Sequence, residues 1–381
     1  MHRMHRGSLG VVAAGIVVGS AALVGVPHTA SAGGDAAKAW SFAAYGDSPY
    51  GTSNADTSQY DATPAFISSI NADPDVSLVT HVGDIHSGKQ YCTESYDRSI
   101  AALWTRFDDS LVYTPGDNEW SDCHKAAEGG HVSVGGRQVD YAGGDPVENL
   151  ALVRSIFFPT AGQTLGGGNL HVQSQAKQYD SSHPEDAAYV ENVMWQRKGV
   201  VFVTVNIPGG SNNDADGWFG APVTERQTAE IRTRAAADLR WIDAAFARAN
   251  DEGSSAVVVI SQADMWDGEK GPGHLTNYEP FVRSRAEHTT ALGKPVLMFN
   301  GDSHAYRSDN PLSQSAPCQG ESGPCASDYV NHPGYDVPNF HRIVVHGSTF
   351  PLEWLKVTVS SRPATTGVDT FGPFSWERHP S

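Results

Sequence analysis

Four short hydrophobic segments of this chain each run into a Gly-Asp pair. The pairs are Gly46-Asp47, Gly83-Asp84, Gly116-Asp117 and Gly301-Asp302. Short apolar runs are typical of buried parallel strands, and open α/β sheets bind ligands at the carboxyl ends of their strands. One such pair alone could be an ordinary turn, because Gly and Asp both favour turns. Four pairs in this context predict acids that meet at one sheet edge, where cations would have to neutralise them.

Segments with the apolar spacing of helices alternate with these strand-like runs. Helices are predicted at four of them: 61–71, 95–108, 224–250 and 278–292. Residues 190–206 have the pattern of a hairpin that turns at 197–199. Further strands are predicted at 256–260, 343–345 and 355–359, the last as an edge or closing strand. Stretches rich in Gly, Ser, Asp and Pro predict long loops at 124–146, 160–188 and 306–340.

The first 32 residues have the composition of a secretory signal peptide. Arg3 and Arg6 precede an apolar stretch over 9–26, and Ala30-Ser31-Ala32 fits a small-residue cleavage site. A membrane anchor is the alternative, although the stretch is short and rich in Gly for a span. We therefore expect cleavage of residues 1–32, a single domain over 33–381, secretion, and no membrane association after cleavage.

Charge and cysteine content narrow the function further. The net charge of -17 argues against binding nucleic acid or an anionic membrane through a basic surface. Four cysteines in an exported chain indicate two disulfides, for which three pairings exist. Cys92 and Cys123 follow the second and third Gly-Asp pairs, so a bond between them would join two site loops if those strands are neighbours. Cys318 would then pair with Cys325. A cysteine-ligated metal site is the alternative, but the chain has no Cys-x-x-Cys pair.

The order of the motifs resembles the calcineurin-like metallophosphoesterase superfamily. That family shows, in order, Asp-x-His, Gly-Asp, Gly-Asn-His-Asp/Glu, a lone His after a strand, and Gly-His-x-His. The corresponding segments here are Asp47-Ser48-Pro49-Tyr50, Gly83-Asp84, Gly116-Asp117-Asn118-Glu119, Ser261-Gln262-Ala263-Asp264 and Gly301-Asp302-Ser303-His304. The third motif, continued by Trp120, is also similar to that of a bacterial secreted subgroup with Gly-Asp-Asn-Glu-Trp. The resemblance covers residues 40–305. It implies an α/β fold, a four-layer α/β/β/α sandwich with mixed sheets.

The resemblance also implies a site for two divalent metal ions. Asp47 would bind the first ion and Asp84 would bridge both. Other ligand positions of the family are occupied here by Asp117, Gln262, Asp302 and His304. Oxygen ligands outnumber nitrogen ligands in this set, so we expect Mn²⁺, Mg²⁺, Ca²⁺ or iron rather than Zn²⁺.

Two departures from the family pattern affect the chemistry. Pro49 stands at the His of the first motif and cannot be a side-chain ligand. Tyr50 could replace it, although a tyrosine there more often packs or donates a hydrogen bond. Asn118 stands where the family has a His thought to protonate the leaving group. An amide can hold a phosphate oxygen, but it cannot act as a general acid.

Two other histidines are candidates for the missing proton donor. His86 and His124 each lie just beyond a motif, and the alternative for both is a solvated loop histidine. A Gly/Asn segment over 209–213 follows a strand and could present backbone N–H groups to a phosphate. An ordinary turn is the alternative for that segment.

These patterns predict a secreted, metal-dependent phosphoester hydrolase, either a phosphatase or a phosphodiesterase. A metal-bound hydroxide would attack a small-molecule phosphoester, and substrates with good leaving groups would react best. The alternative is a degenerate, non-catalytic binding protein of the same fold, because several family histidines are replaced. The replacements are Asp, Asn and Gln, which favours an altered site. The chain has neither a Gly-x-Ser-x-Gly elbow nor a P-loop, which argues against two other hydrolase classes.

Overall fold

The computed structural model describes residues 39–268, 271–360 and 367–381. The predicted signal peptide over 1–32 lies outside them. The helices are α1 (Ser58–Asn71), α2 (Glu94–Trp104), α3 (Pro146–Phe157), α4 (Gly209–Asn213), α5 (Glu225–Asp251), α6 (Pro272–Thr276) and α7 (Glu279–Leu292). Short 3-10 turns occur at Ala126–Glu128, Tyr141–Gly144, Pro184–Ala188, Trp218–Gly220 and Asp328–Asn331.

The strands fall into two large mixed sheets and one small hairpin. They are β1 (Trp40–Tyr45), β2 (Val76–His81), β3 (Ser110–Tyr113), β4 (Ser133–Val134), β5 (Arg137–Gln138), β6 (Leu165–Gly166), β7 (Gln173–Ser174), β8 (Val193–Arg197), β9 (Val200–Thr204), β10 (Ala256–Ile260), β11 (Val296–Asn300), β12 (Arg307–Asp309), β13 (Gln319–Gly320), β14 (Gly323–Pro324), β15 (Phe340–Val344), β16 (Glu353–Val359), β17 (Thr370–Phe371) and β18 (Phe374–Pro380).

Each large sheet has a parallel centre flanked by antiparallel strands. The first sheet has the order β17-β18-β16-β1-β2-β3-β6, in which β1, β2 and β3 are parallel. The second has the order β14-β13-β12-β15-β11-β10-β9-β8-β7, in which β9, β10, β11 and β15 are parallel. Strands β4 and β5 pair separately. The parallel strands carry the segments that the sequence predicted to end in functional residues.

Three hydrophobic cores separate four layers. Between the two sheets, Phe42 of β1 packs edge-on against Phe202 of β9, with ring centroids 5.5 Å apart. Behind the first sheet, Ala43 and Tyr45 of β1 pack with α1, α2 and α3. Behind the second, Val257 and other outward residues pack with α5 and α7. Because alternate side chains of each strand enter different cores, both sheets are buried on both faces. The predicted α/β/β/α sandwich is confirmed.

The local predictions agree with the structure where the apolar spacing is regular. Helix α5 begins after Thr224, whose side chain accepts the backbone N–H of Gln227 at 3.2 Å as an N-cap. The hairpin of β8 and β9 is confirmed. Helix α1 begins at Ser58, three residues before its predicted start, so Pro64 lies inside the helix.

Several elements differ from the prediction: α2 ends at Trp104 rather than at 108, the short strands β4 to β7 and β12 to β14 lie within segments predicted as loops, and β16 and α3 differ most. Strand β16 is not at an edge, because β18 pairs with its outer side. Helix α3 is absent from the prediction, although Asp145 caps it by accepting two backbone N–H groups and Pro146 occupies its first turn. No strand-like run precedes Gly144-Asp145 at its start, so the local pattern favours a turn there.

Both disulfides of the expected pairing are present, Cys92–Cys123 and Cys318–Cys325. The first joins the segments that follow β2 and β3, so it lies beside the candidate site. Within the described residues, no helix has the length and apolar character needed to cross a membrane.

Candidate metal centre

The carboxyl ends of parallel strands from both sheets meet at one edge of the sandwich. A hydrogen bond joins the two sheets at this edge. The backbone N–H of Asp302, which follows β11 of the second sheet, donates to Oδ1 of Asp47, which follows β1 of the first sheet, at 2.9 Å. On the first sheet, the backbone N–H of Asp47 donates to the carbonyl of Gly83 at 3.0 Å. The strand ends are thus tied directly to one another, as the four Gly-Asp pairs predict.

Two of the Gly-Asp pairs need glycine because the carboxylate of an acid from another pair lies against the glycine backbone. A Cβ on Gly301 would collide with the carboxylate of Asp47, and a Cβ on Gly116 would collide with that of Asp84. The glycines therefore let the backbone of one strand end lie against the acid of another.

Four residues at these strand ends have left-handed backbone conformations. The φ angles are 47° at Asp47, 61° at Asp84, 71° at Asp302 and 65° at His304. Non-glycine residues rarely adopt this region, and such strained residues cluster at functional sites. All four are predicted metal ligands, so the strained backbone coincides with the candidate site.

Asp47, Asp84 and His304 form a group with the spacing of metal ligands. One ligand atom from each lies within 4.8 Å of the others. His304 Nε2 is 3.6 Å from Asp47 Oδ1. The second oxygen of Asp47 is buried and has no hydrogen-bond donor among the described residues. A buried carboxylate oxygen with no donor beside a second acid is suited to a cation.

The hydroxyl of Tyr50 lies among these three residues. It donates to Asp84 Oδ2 at 2.6 Å and lies 3.3 Å from His304 Nε2. Burial, together with the charges of Asp84 and Asp47, raises the pKa of the Tyr50 hydroxyl. Tyr50 is thus placed beside the acids as a hydrogen-bond donor, the role that the sequence favoured for it.

The electrostatics of the acids also favour a cation. Burial raises the pKa of Asp47 well above its ordinary value, and the charges of Asp302, Asp117 and Glu119 raise it further. Burial likewise raises the pKa of Asp84, with added repulsion from Asp117 and Glu119. A divalent cation would remove this repulsion, so the residues fit a metal ion at this position.

Asp117, Gln262 and Asp302 lie beside Asp47 and Asp84. Gln262 Nε2 donates to Asp117 Oδ1 at 2.9 Å and to Asp84 Oδ2 at 3.2 Å. A Cβ on Gly209 would lie 2.5 Å from Asp117 Oδ2 and 2.6 Å from Asp302 Oδ1. The structure therefore brings all six predicted metal ligands to one place, although Gln262 turns its nitrogen toward the acids.

Asn118 also turns its amide nitrogen inward. Its Nδ2 donates to Tyr50 Oη at 2.8 Å, to the backbone carbonyl of His86 at 2.9 Å and to Asp84 Oδ2 at 3.1 Å. The side chain borders the cleft and at the same time fixes the orientations of Tyr50 and Asp84.

The two histidines considered as proton donors lie elsewhere among the described residues. His86 is fully buried with its ring against Tyr96, and burial lowers its pKa to about 4. His124 lines a separate depression with His131 and Phe219, and accepts the backbone N–H of Phe219 at 3.0 Å. Neither is a solvated loop histidine, and neither borders the cleft; their catalytic role stays a prediction.

Two supporting acids have no role predicted from the sequence. The first, Glu119, accepts the backbone N–H of Gly116 at 2.7 Å, that of Asp84 at 3.3 Å, and the hydroxyl of Tyr113. It therefore fixes the ends of β2 and β3 together. Its place as the last residue of the third motif is the signal that could have revealed this.

The second, Asp264, supports the other side of the centre. Its backbone N–H donates to Asp302 Oδ2 at 3.1 Å, and its carboxylate pairs with the buried Arg342 at 2.6 Å. Arg342 comes from β15, far along the chain, so the sequence holds no local signal for this pair.

The 209–213 segment, named α4 above, is a left-handed turn rather than a regular α-helix, and an arginine holds it. Gly210, Ser211 and Asn212 have φ angles of 58°, 59° and 60°. Arg234 of α5 donates to the side-chain oxygen of Asn212 at 2.6 Å and to its carbonyl at 3.2 Å. The segment is therefore a fixed left-handed turn that sets Gly209 against Asp117 and Asp302.

A cleft of about 640 Å³ opens beside the acids. Lys89 and Phe350 stand on its walls, and both are exposed, with Phe350 exposing 53% of its surface. A second cavity of about 970 Å³ shares Asp302 and His304 with the cleft. A ligand bound beside the acids would thus have the ammonium group of Lys89 and the aromatic ring of Phe350 within reach.

Comparisons with known proteins give a distant structural likeness. The chain matches no family model and no curated protein. It is similar to the solved structure of the purple acid phosphatase PPD1 isolated from yellow lupin (Lupinus luteus) seeds, with a TM-score of 0.42 and 12% identity. The match covers 90% of this chain and 52% of that one, so this chain spans about half the length of the lupin protein.

Proposed function

We propose that the protein is a secreted, metal-dependent phosphoester hydrolase. The observation that carries the proposal is the group of Asp47, Asp84 and His304, with ligand atoms within 4.8 Å of one another beside an open cleft that Asp84 and His304 line. The ordered motifs around these residues favour phosphoesters as substrates. The two disulfides support an oxidising compartment, in keeping with the predicted signal peptide.

Asp47, Asp84 and His304 would hold a divalent cation. Its chemistry would be to polarise a phosphoryl oxygen and to lower the pKa of a water molecule, so that attack on phosphorus needs no strong base. Oxygen donors predominate, which favours Mn²⁺, Mg²⁺, Ca²⁺ or iron over Zn²⁺. In the resembled family, Asp117 stands at the position of a ligand of a second ion, and Gln262 and Asp302 stand at positions of histidine ligands.

The remaining residues of the cleft would bind and orient the substrate. Asn118 and Tyr50 hold Asp84 in place through hydrogen bonds of 3.1 and 2.6 Å. Lys89 on the wall would attract the negative charge of a phosphate group. Phe350 would contact the organic part of the ester, and an aryl group suits its exposed ring.

The leaving group would depart with little help from a protein acid. The histidine of the family's third motif is replaced by Asn118, and the buried His86 is held neutral by a pKa of about 4. Esters of acidic alcohols or phenols should therefore react fastest, whether they are monoesters or diesters.

The test is the rate of hydrolysis of aryl phosphate monoesters and diesters by the purified mature protein. We expect activity on at least one of them, loss of activity in EDTA, and recovery on addition of Mn²⁺. A rate that is unchanged after complete chelation would overturn metal dependence. Bound metal without hydrolysis across a broad panel of phosphoesters would favour the alternative, a binding protein of this fold.

A further inference from the structure

We infer that this cleft holds one tightly bound divalent cation rather than two, because Gln262 presents its amide nitrogen where a second ion would need a ligand. The inference rests on the proposed metal dependence and concerns the number of ions. The sequence predicts two metal ions, with Gln262 at the position of a histidine ligand. The inference differs from that prediction.

The orientation of the Gln262 amide is fixed by a backbone group. The N–H of Gly209 lies 2.5 Å from Oε1 of Gln262. A peptide N–H can only donate, so the atom facing it must be the oxygen. Rotating the amide by half a turn would set two N–H donors against each other, and this decides an assignment that is otherwise open for glutamine side chains.

The amide nitrogen therefore points at the acids. Nε2 is 2.9 Å from Asp117 Oδ1 and 3.2 Å from Asp84 Oδ2, which are ordinary hydrogen-bond distances. An amide NH₂ group has two hydrogens and offers no lone pair to a metal. It supplies partial positive charge between two carboxylates, at the position from which the resemblance expects a ligand.

Asp84 already accepts hydrogen bonds on both oxygens, since Oδ1 accepts the backbone N–H of Asn118 at 3.3 Å. Its Oδ2 accepts hydrogen bonds from Tyr50, Asn118 and Gln262, at 2.6, 3.1 and 3.2 Å. A cation beside Asp47 and His304 need displace only the Tyr50 hydrogen. A second cation would also have to displace two amides that backbone groups hold in place, since Asn118 Nδ2 donates to the carbonyl of His86 at 2.9 Å.

The other two acids have structural partners instead. Asp117 accepts from Gln262, and Asp302 accepts the backbone N–H of Asp264 at 3.1 Å. Among the described residues at these strand ends, one trio of His, Asp or Glu ligand atoms lies within 4.8 Å of each other, formed by Asp47, Asp84 and His304. Asp117 and Asp302 thus hold Gln262 and the strand ends in place.

The test counts manganese ions per chain. The mature protein is stripped with a chelator, loaded with Mn²⁺, freed of loosely bound ions by gel filtration, and measured by elemental analysis and electron paramagnetic resonance. We expect one Mn²⁺ per wild-type chain, with the spectrum of an isolated ion. Gln262→Glu, which places a carboxylate oxygen where the amide nitrogen stands, should bind two ions that couple magnetically.

A matched control makes the same charge change away from the cleft. Gln196 is exposed on β8, and Gln196→Glu should keep one ion per chain. If the Gln262→Glu variant does not fold, Gln262→His, which adds a neutral ligand, takes its place with the same expected count of two.

The outcomes separate this inference from the proposed function. Two ions per wild-type chain, with hydrolysis intact, overturn the inference alone. One ion in both wild type and the position-262 variants overturns the claim that Gln262 sets the number. No bound ion together with metal-independent hydrolysis overturns the proposed function as well.

Discussion

At the scale of the residue, the centre is built from buried acids that repel one another. Asp47 and Asp84 are almost completely buried, and Asp47 has one oxygen without a donor among the described residues. Such acids weaken a metal-free protein, because a buried charge without a partner is costly. A cation at this centre would therefore stabilise the fold as well as support the proposed reaction.

Asp47→Asn should make the metal-free protein more stable and the metal-loaded protein less so. The change removes a buried charge but also a ligand. In EDTA, we expect the Tm to rise by at least about 2 °C, which corresponds to roughly 1 kcal/mol in a large domain. The rise in Tm that Mn²⁺ gives the wild type should be lost. Differential scanning calorimetry with and without Mn²⁺ measures both effects, and a lower Tm in EDTA would contradict the repulsion described here.

A second buried acid, which lies outside the centre, gives a further pH dependence. Burial raises the pKa of Asp238 in α5 to about 8, partly offset by the charge of Arg234. Its pKa is higher in the folded than in the unfolded protein, so protonation favours the fold. The stability it contributes is fully present below about pH 4, the ordinary Asp value, and is lost as the pH rises through about 8.

Asp238→Asn should therefore flatten the pH dependence of unfolding. Urea denaturation in EDTA at pH 5 and pH 8 should show a smaller loss of stability on going to pH 8 than in the wild type. Asp251→Asn, at the exposed end of the same helix, serves as the control and should leave the loss unchanged. An equal loss of stability between pH 5 and pH 8 in wild type and Asp238→Asn would show that burial does not raise the pKa of Asp238.

At the scale of the element, the strand ends are shaped by a neighbouring turn. The left-handed turn at 209–213 is held by Arg234, and it leaves no room for a side chain at Gly209 between Asp117 and Asp302. The long helix α5 thus acts on the centre through this turn, without touching a substrate.

Gly209→Ala should lower kcat/KM by at least about tenfold, because its Cβ would lie 2.5 Å from Asp117 Oδ2 and push the acids apart. Gly273→Ala is the matched control, since a Cβ there has nothing within 4 Å. Both variants are compared with wild type by steady-state kinetics on an aryl phosphate ester. Unchanged kinetics for Gly209→Ala would show that the close approach of this turn has no role.

The sequence predicts these elements only where the signal is local. Strands β1, β2, β3 and β11 are short apolar runs that end in Gly-Asp, so their positions and their functional ends can be inferred from a few residues. Helix α3 begins after Asp145, its N-cap residue. The pair Gly144-Asp145 is equally typical of an ordinary turn, so the local sequence does not distinguish a turn from the start of a helix. The orientation of Gln262 could not be predicted, because it is decided by the backbone of Gly209, 53 residues away.

At the scale of the whole molecule, two sheets place the ends of parallel strands at one edge. The resemblance of the ordered motifs to a known family implies this four-layer sandwich, whereas the apolar runs before the motifs predict only buried strands. The pairing of the sheets through the Asp302 N–H and Asp47 could not be predicted, since the two residues are 255 positions apart. Nor does the order reveal Arg342, which reaches Asp264 from β15.

The central claim is that the protein hydrolyses phosphoesters with a cation that Asp84 helps to hold. The most direct test compares wild type with Asp84→Ala. Both mature proteins are loaded with Mn²⁺, shown to fold by circular dichroism, and assayed on aryl phosphate mono- and diesters. We expect the wild type to hydrolyse at least one ester. Losing a residue that only hydrogen-bonds to a metal ligand costs roughly 10–100-fold in activity. The rate of Asp84→Ala, which loses a ligand itself, should fall by more than that. Equal rates for the two proteins would contradict the proposed function.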